Sequence, residues 1–229
     1  NQSINWVKTR EKVEDNFSKS NCQVSVIPGF ICRNENGDLS TLGRGGSDLT
    51  ASVMANLLNA STLEIWTDVS GVYTANPKIV SQARPIKKIS YQEAMELSHF
   101  GAKVIYPPTI QPLIDKKIEL KIKNTLFPKN KGTLISSSVK KNNGQIVKGI
   151  TFIDKVSILR IEGSGMIGIP GYSKRFLEVL SNNNISTILV TQASSEHSLC
   201  IALIREDAIR GKKLIEKEFL SEIQLKKID

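Results

Sequence analysis

TLGRGGSDLTASVMANLL (Thr41–Leu58) packs a cation, two glycines, a hydroxyl and a carboxylate into five residues and then opens an amphipathic helix. Leu49, Val53 and Leu57 recur on one face, with Met54 and Leu58 beside them, and Ser47 is the expected N-cap. Gly45 and Gly46 let backbone approach a ligand and aim N–H groups at an anion, where the helix dipole helps. Arg44 has the fork geometry that grips a carboxylate. Asp48 does not belong in a pure phosphate cradle. It asks for a partner cation, whether a lysine, a metal or the ammonium of an amino acid.

Working outward, CQVSVIPGFI (Cys22–Ile31) reads as a buried strand, Asn36-Gly37 as a hairpin turn, and LEIWTD (Leu63–Asp68) as a short strand after the helix. Strand, helix, strand in that order is the signature of an α/β sheet. VSGVYTANPK is a loop, Ser90 and Glu93 form a capping box on a helix running to Lys103, and Pro107-Pro108 starts another helix. Glu119–Asn124 and Gly132–Ile135 read as strands. SSSVKKNNGQ (Ser136–Gln145) is polar and lysine-rich, a domain boundary by composition. Beyond it, VKGITF and VSILRIEG (strands), Gly171–Asn183 (helix), NISTILVTQ and HSLCIALI (strands), DAIRGKKLIEKEFL (helix) and a closing EIQLKKI give the ferredoxin-like order. The expected division is 1–136, a 137–147 linker and 148–229.

The 229 residues are 40% apolar, enough for a sizeable core, and no run approaches a membrane span. Three cysteines without CxxC spacing indicate neither a disulfide framework nor zinc, which fits a reducing cytoplasm. With two histidines far apart in sequence, chemistry must run on carboxylates, lysines and backbone. The net charge of +9 gathers in lysines between 116 and 148 without interleaved stacking aromatics, so a nucleic-acid partner is not expected. The first residue is Asn, which suggests a processed or excised piece.

GFICRNENGDLSTLGRGGSDLTA, EIWTDVSGVYTANP, SYQEAMELSHFGAKVIYPPTI and KNTLFPKNKGTLIS together resemble, in order and spacing, the nucleotide-side half of aspartate kinases of the amino-acid kinase superfamily. SYQEAMELSHFGAKV, IKNTLFP and VTQASSEHS are most similar to the kinase portion of the bifunctional aspartokinase–homoserine dehydrogenases. The region from Val147 resembles an ACT regulatory unit. The resemblance implies part of a three-layer α/β kinase domain followed by a ferredoxin-like (βαββαβ) ACT domain. The KFGGTS segment with which such kinases begin is not among these residues. The chain is therefore expected to be a middle fragment, nearly inactive alone.

The resemblance implies that Arg44 holds a carboxylate of aspartate with Ser47 and Asp48 nearby, and that Asp48 also orients active-site lysines. It implies that Thr67 and Asp68 touch nucleotide, that Tyr73 and Lys78 line the adenosine and phosphate side, and that Lys103 reaches the phosphates. ATP and Mg²⁺ are the implied cofactors, and the product is 4-phospho-L-aspartate, at the entry to lysine, threonine and methionine synthesis. In the ACT-like part, Gly165, Met166 and Ile167 would offer backbone N–H groups to an amino-acid effector, with Gln192 opposite. Threonine is the implied effector, and pairing of ACT units the implied route to a homo-oligomer. The alternatives are an amino-acid-sensing dimerisation module without catalysis and a related kinase acting on glutamate or a nucleotide.

Overall fold

The computed structural model describes residues 4–99, 104–138, 147–192 and 197–229. Lys103, the end of the helix expected to reach it, and the whole ASSE stretch after Gln192 lie outside these residues. The chain separates into two units, residues 1–152 and 153–229.

In the first unit, α1 (Trp6–Ser18) starts at Asn5, whose side chain accepts from the Lys8 amide at 3.0 Å. The hairpin β1 (Ile31–Arg33) and β2 (Leu39–Thr41) turns at Gly37, whose φ of 88° is the left-handed conformation that the Asn-Gly pair provides. Residues 21–30 do not form the expected strand. Pro28 has no N–H to donate, Phe30 sits at φ 74°, and Val24 and Val26 are 80% and 94% exposed.

α2 (Gly46–Leu57) buries Leu49, Val53 and Leu57 against Val13 and Phe17 of α1. Its N-cap is Gly45, in the left-handed region, rather than Ser47, which lies in the first turn. Four residues then lead into β3 (Thr62–Thr67). After the loop come β4 (Lys88–Ile89), α3 (Tyr91–His99), a 3₁₀ turn at Pro107–Thr109, α4 (Gln111–Lys116), β5 (Glu119–Asn124) and β6 (Thr133–Ile135). The Ser90 amide donates to Glu93 at 2.8 Å and the Glu93 amide to Ser90 Oγ at 3.2 Å, which closes the capping box.

The sheet order is β3-β5-β6-β4, with β3 and β5 parallel and β5 and β6 antiparallel. Its core holds Ile65, Ile89, Ala94, Ile110, Leu113, Leu120, Ile122 and Ile135. β5 alternates inward and outward, so Leu120, Ile122 and Asn124 share the buried face.

Residues 147–152 were expected to be a strand of the second module. They carry no regular structure and bind the first unit instead. Lys148 Nζ lies 2.8 Å from Glu93, and the Ile150 amide donates to the Thr74 carbonyl at 2.8 Å.

In the second unit, β7 (Val156–Glu162), a 3₁₀ turn (Ser164–Met166), α5 (Tyr172–Asn182), β8 (Leu189–Gln192), β9 (Ser198–Ile204), α6 (Arg205–Glu218) and α7 (Leu220–Gln224) follow one another. The sheet is antiparallel in the order β7-β9-β8. Phe176 and Leu180 of α5, Leu199, Ile201 and Leu203 of β9 and Phe219 after α6 fill its core. EIQLKKI does not form the closing strand, because its first half is helical. Only Asp229 pairs with β7, exchanging two backbone hydrogen bonds with Glu162 at 2.7 and 3.0 Å.

Candidate active site

Three hydrogen bonds and one ring contact fix the direction of the segment beside α2. Tyr106 packs on Gly45, Ser52 Oγ donates to the Thr109 carbonyl at 2.5 Å, Asn56 Nδ2 donates to the Pro112 carbonyl at 2.7 Å, and Lys116 Nζ donates to the Asn56 carbonyl at 2.7 Å. Residues 106–116 therefore run parallel to α2. Both segments hand over at the same end to β3 and β5, which turn back in parallel. The first turn of α2, Tyr106 and the carboxyl ends of β3 and β5 thus share one side of the unit. That side is where open α/β sheets bind ligands, because helix N-termini and strand ends converge there.

This arrangement brings together two of the expected groups. Arg44 and Ser47 are exposed at the start of α2, and Asp48 is half-buried in its first turn. Thr67 and Asp68 close β3 at the same side, with Thr67 Oγ1 donating to Asp68 Oδ1 at 3.1 Å. Tyr73 and Lys78 belong to the following loop. Tyr73 is half-buried and bridged to Pro85, while Lys78 is exposed and donates its amide to Asn76 Oδ1 at 3.0 Å in an Asx turn.

Close packing requires both glycines. A Cβ on Gly45 would overlap the root of the Tyr106 ring and lie 2.7 Å from its Cδ1, and one on Gly46 would meet Leu42 Cβ at 2.8 Å. Gly46 also donates its amide to the Gly43 carbonyl at 3.0 Å, so it offers nothing to a ligand. The amides without an acceptor among the described residues are those of Gly45, Ser47 and Asp48, because the first i to i−4 bond of the helix is from Leu49 to Gly45.

Burial raises the Asp48 carboxyl above its ordinary value of 3.8, although it stands in the positive first turn of a helix. Among the described residues Asp48 has neither a hydrogen-bond partner nor a cation within ion-pair distance. A desolvated carboxylate without a counter-charge is costly to keep for structural reasons alone.

Residues that sequence reasoning overlooked hold the turn after β3. Asn124 is 3% exposed and joins Asp68 and Ser70 to the turn after β5, and Thr133 Oγ1 accepts from the Val72 amide at 2.9 Å. A polar residue at an inward position of an alternating strand was the available signal for Asn124.

In the second unit the expected effector donors are already used. Gly165 donates to the Lys227 carbonyl at 3.0 Å, Met166 to Gly163 at 3.2 Å, and Ile167 to Ser164 at 3.4 Å. Met166 is itself core. Gln192 Oε1 accepts from Ser173 Oγ at 3.0 Å, which sets its amide beside the start of α5.

Comparison with known proteins matches residues 3–124 to the amino acid kinase family and residues 159–219 to an ACT domain. The chain is 45% identical over 201 residues to a bifunctional aspartokinase/homoserine dehydrogenase of Haemophilus influenzae, which covers 88% of this chain and 24% of that protein. The solved aspartate kinase of Clostridium acetobutylicum superposes with a TM-score of 0.80 at 32% identity, covering 95% of this chain and 50% of that one. Escherichia coli aspartokinase III, solved with aspartate and ADP, gives a TM-score of 0.69 at 32% identity, over 83% of this chain and 43% of that one. The chain thus spans about a quarter of the curated relative and half or less of the solved ones. On the match across more than half of its length, joined to a sheet whose strand ends meet a helix N-terminus, the chain belongs to the amino acid kinase family.

Proposed function

We propose that this chain forms the nucleotide side of an aspartate kinase, which transfers the γ-phosphoryl group of ATP to the side-chain carboxylate of L-aspartate. The observation that carries this reading is Asp48: a half-buried carboxylate in the first turn of α2, without a cation partner among the described residues, on the side where Thr67 and Asp68 end β3. The E. coli relative that holds aspartate and ADP supports the same pair of ligands.

The aspartate carboxylate, with a reference pKa near 3.9, is already ionised at neutral pH and needs no general base. A carboxylate oxygen bonds to the γ-phosphorus, the bond to the β–γ bridging oxygen breaks, and ADP leaves with that electron pair. Arg44 holds the other carboxylate of aspartate, the amides of Ser47 and Asp48 face the anion, and Asp48 orients cations. Thr67, Asp68, Tyr73 and Lys78 line the nucleotide, and Lys103 reaches its phosphates. Among the described residues no group of three His, Cys, Asp or Glu side chains gathers. A magnesium ion would be held largely by nucleotide phosphates and water and would supply positive charge to the phosphates.

The second unit senses an amino acid, threonine by preference, through Gln192 and the start of α5. Its exposed Ile158, Leu189 and Val190 support pairing of two copies. Among the described residues no helix is long and apolar enough to cross a membrane, and the cytoplasm is the proposed location.

Calorimetry on the 229-residue chain tests the reading. MgATP binding lost in Lys103→Ala, and threonine binding lost in Gln192→Ala but kept in Lys103→Ala, is the expected result. Amino-acid binding without any MgATP binding would instead favour a sensing module without catalysis. Coupled-assay turnover is expected to be nearly nil, because the KFGGTS lysine is not among these residues, and normal turnover would overturn that expectation.

A further inference from the structure

We propose that Asn124 is a positioning residue for nucleotide binding, fixing the turn that carries Asp68 against the turn that follows β5. The inference rests on Thr67 and Asp68 being the nucleotide side.

Thr67 and Asn124 are partners in the parallel register of β3 and β5, so both stand at the carboxyl edge. Asn124 follows Leu120 and Ile122 on the buried face, where the alternation of the strand calls for an apolar side chain. An amide there is costly unless all of it is bonded. It is bonded on both sides. The Leu126 amide donates to Oδ1 at 2.8 Å, which orients Nδ2 toward the other turn. Nδ2 then donates to Ser70 Oγ at 2.9 Å and to the Asp68 carbonyl at 3.4 Å. Asn130 Nδ2 reaches the same Ser70 Oγ at 3.3 Å, and the Thr125 amide donates to the Thr67 carbonyl at 2.8 Å.

Asn124 is the buried centre of the ties between the two loops leaving the parallel strands, the one side chain among the described residues that bonds both turns at once. A leucine of similar size would satisfy burial but would leave only the Thr125–Thr67 backbone bond and the longer Asn130–Ser70 bond to hold the turns together. What the amide adds is a fixed backbone at Asp68 and Ser70, and hence a fixed direction for the Thr67 hydroxyl and the exposed Asp68 carboxylate. Pre-organisation of that kind acts on ligand affinity more than on the fold.

The test compares Asn124→Leu with Asn56→Leu in the 229-residue chain. Asn56 is also buried, at 6% exposure, and also donates to a carbonyl across elements, but at the opposite end of α2. MgATP is titrated by calorimetry and by the emission of Trp66, which adjoins Thr67, in a Trp6→Phe background, and thermal midpoints are recorded for each variant. Asn124→Leu is expected to weaken MgATP by about tenfold and to blunt the Trp66 response. Asn56→Leu should change affinity less than about twofold at a comparable loss of midpoint. Ser70→Ala, the milder variant should Asn124→Leu not fold, is expected to weaken binding in a way that is not additive with Asn124→Leu. MgATP affinity unchanged in Ser70→Ala and Asn124→Leu, or weakened as much by Asn56→Leu, overturns the role of Asn124. A parent chain that binds no MgATP overturns the nucleotide reading itself, and the inference with it.

Discussion

Replacing Gly45 by alanine probes the junction on which the site is built. Gly45 has φ 69°, and an added Cβ would overlap Tyr106 Cβ and Cγ and lie 2.7 Å from Cδ1. Two costs add: the left-handed conformation in a residue with a Cβ, about 1–2 kcal/mol, and overpacking against a ring root that cannot swing away, about 1–3 kcal/mol. The first unit should lose roughly 2–5 kcal/mol, or about 5–15 °C in its midpoint for a chain of this size. Calorimetric melting of Gly45→Ala, Tyr106→Gly and the double variant separates the two costs. Removing the whole side chain, Cβ included, relieves the overpacking but not the backbone strain, so the double variant should show a favourable coupling of about 1–3 kcal/mol. A Gly45→Ala chain that melts within about 0.5 kcal/mol of the parent, or costs that simply add, would refute the reasoning.

Two further outcomes concern charge. Burial raises the Asp48 pKa above 3.8, so the folded state binds more protons than the unfolded state and stability falls as pH rises through that window. Asp48→Asn should therefore be the more stable protein near pH 7 in urea titrations and lose its advantage near pH 4. An Asp48→Asn chain less stable than the parent at neutral pH would mean that the helix N-terminus outweighs burial. In the second unit Arg175 reaches Glu218 at 2.8 Å and Glu222 at 2.5 Å and lies 4.4 Å from the centre of the Phe219 ring. Its hydrogen bonds hold Glu222 below its ordinary value of 4.5, so this stabilisation is present above that pH and is lost as pH falls through the lowered value. Arg175→Lys, which cannot make the fork, should cost about 1 kcal/mol at neutral pH and less in acid, and a loss independent of pH would sink this account.

Much of the architecture was legible because periodicity and caps are local. Leu49, Val53 and Leu57 marked the buried face of α2, Ser90 and Glu93 the start of α3, and Asn36-Gly37 the hairpin. Failures came where pairing or packing at long range decides. Cys22–Ile31 has strand composition, but Pro28 and the positive φ of Phe30 interrupt it and no neighbour pairs with residues 23–29 among those described. Gly45 and Gly46 look like a ligand cradle in sequence, yet their closeness is to Tyr106 and Leu42, some sixty and four positions away, and no spacing rule reveals the first. VKGITF alternates like a strand, but Lys148 and Ile150 find their partners on the helix and loop of the first unit. The Arg44–Asp48 cluster was visible as chemistry, whereas Asn124 was hidden because its role depends on two turns meeting in space.

Residues 23–29 form no regular structure and make no backbone hydrogen bonds among the described residues, which leaves a row of unpaired donors and acceptors beside the exposed valines at 24 and 26. Such a row is a template for another strand, and β-branched residues make the added strand adhesive. Colloidal behaviour rather than melting temperature should then limit how concentrated this polypeptide can be kept. Pro28 confines the sticky patch to a few residues, since no ladder can extend through a residue without an amide hydrogen.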